Sequence, residues 1–379
     1  MSEKVIVAMS GGVDSSVAAL LLQRQGFDVE GVFMKNWSPE TVQGLEDCPW
    51  QEDQNDAEAV CRHLGITFRS VNFEREYRER VLEYFFKEYA AGHTPNPDIM
   101  CNKEIKFTAF LTYAQELGAK RIATGHYAII KNGLLYRGLD AHKDQSYFLS
   151  ALNSQQLHAS MFPLGEYKKS KVRELAREAN LPNAEKKDSQ GICFVGHLNV
   201  HRFLHEHLPE GNGGHVLLAP KYTDGQSLSS RLDSSVDVGR YTGSLYVTLG
   251  ERAGQLVDNK KVRNTLGGTD VPLLFVLAKN DGRGLVYLTA DRLDPHLYTN
   301  TLAVSNWIGI LPDTETLIQI RYGQQNLTRA KSLISEGKIW LQALDQGFYA
   351  PASGQQAVAY SAEGQVLGSG AINKDDGWL

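Results

Sequence analysis

The chain has 379 residues, a net charge of −5, 42% hydrophobic residues and 22% charged residues. These are globular values with room for two or three domains, and the acidic balance gives no global electrostatic case for nucleic acid, so any such binding must use local basic patches. No apolar run approaches the roughly 18 residues of a membrane span, no presequence is readable before the first strand, and four cysteines argue for a reducing compartment over a disulfide scaffold.

Val5 to Met9 reads as a buried strand, and Val17 to Gln25 as an amphipathic helix closed by Gly26. Between them stands Ser10-Gly11-Gly12-Val13-Asp14-Ser15-Ser16. A strand, a Gly-Gly turn and a helix start make an anion site: the glycines admit close backbone approach, and free N–H groups point at the ligand. Ala8, Met9 and the seven loop residues are therefore the expected phosphate-binding stretch. It is not a Walker loop, because Val13 stands where a lysine is needed, and GxGxxG is absent. Asp14 is a candidate Mg²⁺ orienter or a helix cap.

Asp28–Met34 is a second strand, Gln51–Leu64 a helix, and Phe68–Phe73 a strand. Tyr77–Ala91 and Lys103–Leu117 read as helices, and Arg121–Thr124 as a short strand ending at Gly125-His126. Lys168–Asn180 is a helix stopped by Pro182. This alternation predicts an α/β domain with a parallel sheet over residues 1–208. Ligands of such sheets sit beyond the carboxyl strand ends, where the loop, Met34 and Gly125-His126 fall.

After about residue 208 glycine and short β-rich runs dominate: Gly214–Ala219, Gly243–Leu249, Pro272–Lys279 and Gly284–Thr289. Asn280-Asp281-Gly282 is a hairpin signal. A small β-rich central domain over 209–270 and a C-terminal β-barrel over 271–379 are expected.

Cys101 follows Thr94-Pro95-Asn96-Pro97-Asp98-Ile99-Met100, an approach stiffened by two prolines. Asn102 can cap a helix beginning at Lys103. A thiol at a helix N-terminus beside a lysine has a lowered pKa, and the alternative is an inert buried cysteine. Cys193 follows Lys186-Lys187-Asp188-Ser189-Gln190-Gly191-Ile192, which suits a loop and an activated thiolate. Cys61 shares a helix face with Ala57 and Leu64 and reads as core, and Cys48 carries little signal. No CxxC pair exists, which argues against structural zinc. The run Lys168-Lys169-Ser170-Lys171-Val172-Arg173 is either a grip for RNA phosphates or a solvated face.

The loop resembles the PP-loop of adenine nucleotide α-hydrolase-like enzymes, which cleave ATP between the α- and β-phosphates and place AMP on a substrate oxygen. Further motifs carry a narrower resemblance: Val32-Phe33-Met34-Lys35-Asn36-Trp37, Thr94 to Phe107, Ala123-Thr124-Gly125-His126-Tyr127, Lys143-Asp144-Gln145-Ser146-Tyr147-Phe148-Leu149, and Asp188 to Phe194. Together they resemble the tRNA-specific 2-thiouridylase family, whose bacterial and mitochondrial members thiolate the wobble uridine of lysine, glutamate and glutamine tRNAs.

The resemblance implies ATP with Mg²⁺ on the loop, flanked by Met34 and Gly125. It implies adenylation of the uridine C2 oxygen, then sulfur transfer from a persulfide on Cys193, which Cys101 resolves as a disulfide. Asp98 is the implied general acid or base. The base must leave the anticodon stack. Asn96, Pro97, Asp98, His126, Lys143, Asp144, Gln145, Arg321, Tyr322 and Gln355 are the implied tRNA contacts. Where the family usually has Thr-Leu-Gly-Gln-Arg, this chain has Thr248-Leu249-Gly250-Glu251-Arg252, which places an acid near the implied RNA face.

A sulfur-carrier protein or cysteine desulfurase relay is the implied partner. A monomer is expected, in the cytoplasm of a bacterium or in a mitochondrial matrix. Three alternatives remain at this level. One is an amidating ligase like the NAD or GMP synthetases; another is a non-catalytic tRNA-binding protein. The third is an iron–sulfur cluster on Asp98, Cys101 and Cys193 in place of the persulfide.

Overall fold

A strand that is apolar along its length belongs inside a sheet covered on both faces, and Val5 to Met9, buried throughout, is the central strand of the first unit. The computed structural model describes residues 2–38, 50–187, 200–208, 211, 213–242, 246–324 and 326–373. β1 (Lys4–Met9), β2 (Asp28–Lys35), β3 (Thr67–Asn72), β4 (Arg121–Ala123) and the short strand Ser160–Met161 form one sheet, in the order β3, β2, β1, β4, Ser160–Met161. Every pairing is parallel. Strand order reverses beside β1, so the chain leaving β1 opens into the switch-point crevice where such sheets bind ligands.

α1 (Val13–Arg24) buries Val13, Val17, Ala18 and Leu21 against this sheet. α2 (Trp50–Leu64) lays Ala57, Val60 and Cys61 on β2, where Gly31 leaves room for the Cys61 sulfur. Burial, with a smaller effect of Glu58, pushes the Cys61 thiol up to about 12. It is the core residue its helix face predicts.

Two helices start earlier than their periodicity indicates. The one expected at Tyr77 begins with Glu74–Tyr77 and continues through the π-helical Arg78–Leu82 into Glu83–Ala90. The one expected at Lys103 begins at Pro97, continues through the π-helical Cys101–Ala109, and ends with Phe110–Glu116. Asn96 caps it by accepting from the Ile99 N–H at 3.2 Å. Pro97 fills the first helical position, where a missing N–H costs nothing. Asn102 therefore caps nothing; its side-chain N–H donates to the Phe148 carbonyl at 3.1 Å.

The central sheet runs Phe275–Asn280, Leu285–Thr289, Gly214–Leu218, Val236–Tyr241. The expected boundary at 270 thus divides one sheet, because the hairpin 275–289 pairs with the strands before it. That hairpin turns at Asp281–Arg283 as its Asn-Asp-Gly sequence predicts. Of the expected strand Gly243–Leu249, residues 243–245 lie outside the described residues, and Tyr246 to Leu249 form none. A closed six-stranded barrel completes the fold, with Thr301–Gly309 pairing both Lys338–Ala343 and Val366–Ile372.

The central unit hangs on a buried ion pair. Arg231 and Asp294 are both fully buried and meet at 2.6 Å. Arg231 also donates to the Pro220 carbonyl at 2.7 Å, and Thr289 donates to Asp294 at 2.7 Å. Burial alone would raise the Asp294 pKa, but the hydrogen bonds from Arg231 and Thr289 outweigh it and hold it below the usual carboxylate range. Arg231→Met strands the carboxylate and should cost about 3–5 kcal/mol. Urea denaturation followed by circular dichroism measures this, and a loss under about 1 kcal/mol would remove the pair from this role.

Candidate active site

Gly11 has φ +75°, and a Cβ there would strike the backbone carbonyl of Asp53 in α2. Only glycine permits this turn. Hydroxyls tie it internally. Ser15 Oγ accepts from the Ser10 N–H at 3.2 Å and donates to the Gly12 carbonyl at 3.0 Å, and Ser16 Oγ donates to the same carbonyl at 2.9 Å. Ala8, Met9 and Val13 are buried and form the frame. The first-turn N–H groups of α1 have no intrahelical acceptor. Gly125, just after β4, closes the other side: a Cβ there would lie 2.7 Å from the Ser15 nitrogen.

Asp14 accepts from Lys169 Nζ at 2.8 and 2.9 Å and from the Tyr127 hydroxyl at 2.8 Å. Lys169 opens the helix Lys169–Glu178. Its neighbours are also committed, Lys171 to Glu174 at 2.9 Å and Arg173 to the Lys186 carbonyl at 3.1 Å. Lys169 thus serves the loop and Arg173 the segment after its own helix, while Lys168 is exposed. The described residues contain no group of three metal-ligating side chains.

Met34 is buried at the carboxyl end of β2. Cys101 is fully buried and shares one packed cluster with Ala8, Met34, Trp37 and Ile105. It sits inside its helix, past the first turn, so the expected helix-start activation of this thiol does not hold. Asp98, in the first turn of that helix, is half-buried. Cys193 and Cys48 lie outside the described residues.

His126 is 8% exposed, flanked by the rings of Phe107 and Phe162, each at 5.9 Å. Lys106 Nζ lies 3.4 Å from its Nε2, and Thr124 Oγ1 2.5 Å from its Nδ1. A lysine only donates, so Nε2 accepts and Nδ1–H donates to Thr124. Burial, reinforced by Lys106, holds the imidazole well below its ordinary pKa. His126 is an internal neutral residue, not the exposed tRNA contact expected.

Comparison with known proteins follows this geometry. A family model described as "tRNA methyl transferase HUP domain" matches residues 3–197, and one described as "Aminomethyltransferase beta-barrel domain" matches residues 299–372. The tRNA-specific 2-thiouridylase MnmA of Lactococcus lactis subsp. lactis is 42% identical over 98% of this chain and 94% of that protein. The Bacillus velezensis protein of that name is 40% identical over 98% and 95%. The one from Streptococcus pyogenes serotype M2 is 47% identical over 80% and 76%. The chain belongs to the tRNA-specific 2-thiouridylase family.

Several residues that the 2-thiouridylase resemblance assigns to tRNA make contacts within the protein, and Asn96, Gln355 and Arg321 join structural units. Asn96 donates to Gln355 Oε1 at 3.3 Å, and Gln355 Nε2 donates to the Thr94 carbonyl at 2.8 Å. Asp144 is buried and accepts from Arg137 at 2.8 Å and from the Gly138 N–H at 2.9 Å. Gln145 Oε1 accepts from the Tyr127 N–H at 3.0 Å. Arg321 donates to the Leu249 carbonyl at 2.6 Å and to the Ala350 carbonyl, and burial pulls its pKa down. Glu251 accepts from the Thr248 N–H at 2.9 Å and closes its own turn.

Tyr322 remains outward, 46% exposed, with its ring 4.3 Å from that of Phe148. Burial of its lower part raises its pKa first; Lys143 opposes and Asp144 and Asp98 add to it, which places those charges around the phenol. Sequence reasoning missed the roles of Lys169, Tyr127, Lys106 and Asn183. An acid in an anion-binding loop needs a nearby cation, and that was the available signal for Lys169.

Gly125→Ala should push α1 off the loop and weaken nucleotide binding by about tenfold or more, roughly 1.4 kcal/mol, with helix content retained. Titration calorimetry with circular dichroism checks this. His126 predicts an acid sensitivity. A base whose folded pKa lies below its unfolded value of about 6.5 binds fewer protons when folded. That stability is present above pH about 6.5 and is lost as pH falls below it. His126→Gln, which keeps an acceptor, should flatten the fall in Tm between about pH 7 and 5. An unchanged slope would assign the fall to other groups.

Proposed function

We propose that this chain is an ATP-dependent tRNA-uridine 2-sulfurtransferase. The observation that carries the reading is one packed cluster joining the β1 strand beneath the nucleotide loop to Cys101, with Asp98 one turn before it. An anion cradle and a thiol joined through one packed cluster suit a reaction that first activates an oxygen and then replaces it.

In this reading the loop holds the β- and γ-phosphates of ATP, through the N–H groups of the first α1 turn and Ser10 to Ser16. Met34 and Gly125 border the nucleotide. Mg²⁺ enters with ATP as its counter-ion. The uridine C2 oxygen attacks the α-phosphorus, the bond to the β-phosphate breaks, and pyrophosphate leaves. The terminal sulfur of a persulfide on Cys193 then attacks C2. The Cys101 thiolate attacks the inner sulfur, the persulfide S–S bond breaks, and its electrons expel AMP as C2=S forms. A Cys101–Cys193 disulfide results, which an external thiol reduces. Asp98 moves the proton at the base edge.

Asp98, Lys143 and Phe148 lie near the exposed Tyr322, and an exposed aromatic is a stacking platform for an extruded base in this reading. Wobble uridines of lysine, glutamate and glutamine tRNAs are the substrates in this reading. A sulfur-carrier protein or desulfurase loads Cys193, and the enzyme acts as a monomer in a bacterial cytoplasm, since the relatives compared are bacterial. The catalytic unit extends to residue 208, and the sheet pairing supports a central unit that includes Thr289 before the barrel.

Mass spectrometry of tRNA after incubation with ATP and a persulfide donor tests the function. One oxygen replaced by sulfur at the wobble uridine is expected, with Cys101→Ser and Cys193→Ser inactive and Asp98→Asn slowed about 10²-fold or more. No 2-thiouridine, or full turnover by Cys193→Ala, would sink the reading.

A further inference from the structure

Asn183 reaches the nucleotide loop from just past the Pro182 helix stop and is 5% exposed. Its Nδ2 donates to the Gly11 carbonyl at 2.9 Å and to Ser16 Oγ at 3.0 Å. One side-chain amide therefore joins the glycine turn to the first turn of α1. Its Oδ1 is buried with no partner among the described residues. That orphaned acceptor carries a desolvation cost of about 1–3 kcal/mol, which a residue used only to fill space would avoid.

Lys186 holds the turn of α2 that abuts Gly11. Its Nζ lies 2.7 Å from Asp53 Oδ1 and 2.5 Å from Asp56 Oδ2. The backbone carbonyl of Asp53 is the group that lies against the Gly11 Cα. Arg173 in turn donates to the Lys186 carbonyl at 3.1 Å. The Gly11 peptide is thus pinned from two directions.

Orientation is what this pinning controls. In a trans peptide the carbonyl of one residue and the N–H of the next point to opposite sides. With the Gly11 carbonyl turned onto Asn183, the Gly12 N–H faces the other way. There it meets, among the described residues, Ser10 Oγ at 3.4 Å on the exposed side. Released, the peptide could turn its carbonyl toward an incoming phosphate and repel it. We propose that Asn183 is a positioning residue for the pyrophosphate loop: it holds the Gly11 carbonyl back so that the Gly12 N–H faces the anion. Lys186 is its second support through Asp53. This rests on the ATP reading above.

The test is titration calorimetry without tRNA, using ATP, inorganic pyrophosphate and AMP as separate probes. Asn183→Asp removes the donor and sets an oxygen against the Gly11 carbonyl. It should weaken ATP and pyrophosphate about tenfold, equivalent to about 1.4 kcal/mol, and leave AMP within about twofold. Lys186→Met should show the same pattern more weakly, and keeps the test usable if Asn183→Asp folds poorly. KM for ATP should rise while kcat at saturating ATP holds. Equal weakening of all three probes, or of none, overturns the proposal. Wild-type protein that binds neither ATP nor pyrophosphate would overturn the ATP reading as well.

Discussion

The structure depends on backbone meeting backbone around one turn. The Asp53 carbonyl lies against Gly11, and the Gly125 Cα lies against the Ser15 peptide. Both contacts require the absence of a Cβ, and both bring the end of a neighbouring element to the start of α1. Because strand order reverses beside β1, these contacts frame an open crevice rather than a filled core. Side chains on β2, β4 and the Cys101 helix take their places from that frame.

Charge is then arranged in two layers. At the mouth, Lys169 neutralises Asp14 and the Tyr127 hydroxyl completes the carboxylate's coordination. An anion entering the turn meets a compensated acid rather than a bare one. Deeper, Lys106 donates to a neutral His126 between two phenylalanine rings. Burial keeps that imidazole uncharged, so the pair carries one positive charge instead of two. Lys169 places a cationic group beside a loop whose own sequence holds none.

A third set of contacts sets the barrel and central unit against the catalytic unit. Tyr147 donates to the Gln356 carbonyl at 3.1 Å, Gln355 holds the Thr94 carbonyl, and Arg321 gathers carbonyls from the central unit and the barrel. A buried guanidinium satisfied by backbone acceptors is a mortise, since leaving its donors unpaired would cost several kcal/mol. Residues that face outward and residues buried within occur side by side in the sequence. Here Lys143 and Tyr322 lie toward the cleft, and their neighbours Asp144 and Arg321 lie within.

Local chemistry was legible in the chain itself. The glycine turn between an apolar strand and a helix, the parallel alternation, the Asn-Asp-Gly hairpin, the barrel and the core face of Cys61 all follow from backbone rules acting over a few residues. Those rules were misapplied where one signal had two readings. Pro97 after Asn96 looked like an extended approach but is a cap followed by a first helical position, and this moved Cys101 into the helix body. The pairings of Asp14 with Lys169, Asn183 with Gly11 and Arg321 with Leu249 join residues 155, 172 and 72 positions apart. No periodicity or turn code spans such distances. The sequence by itself determined that a glycine turn able to bind an anion stands between an apolar strand and a helix; which cation answers the loop's acid, and which polar residues are interior, was decided only when packing brought distant segments together.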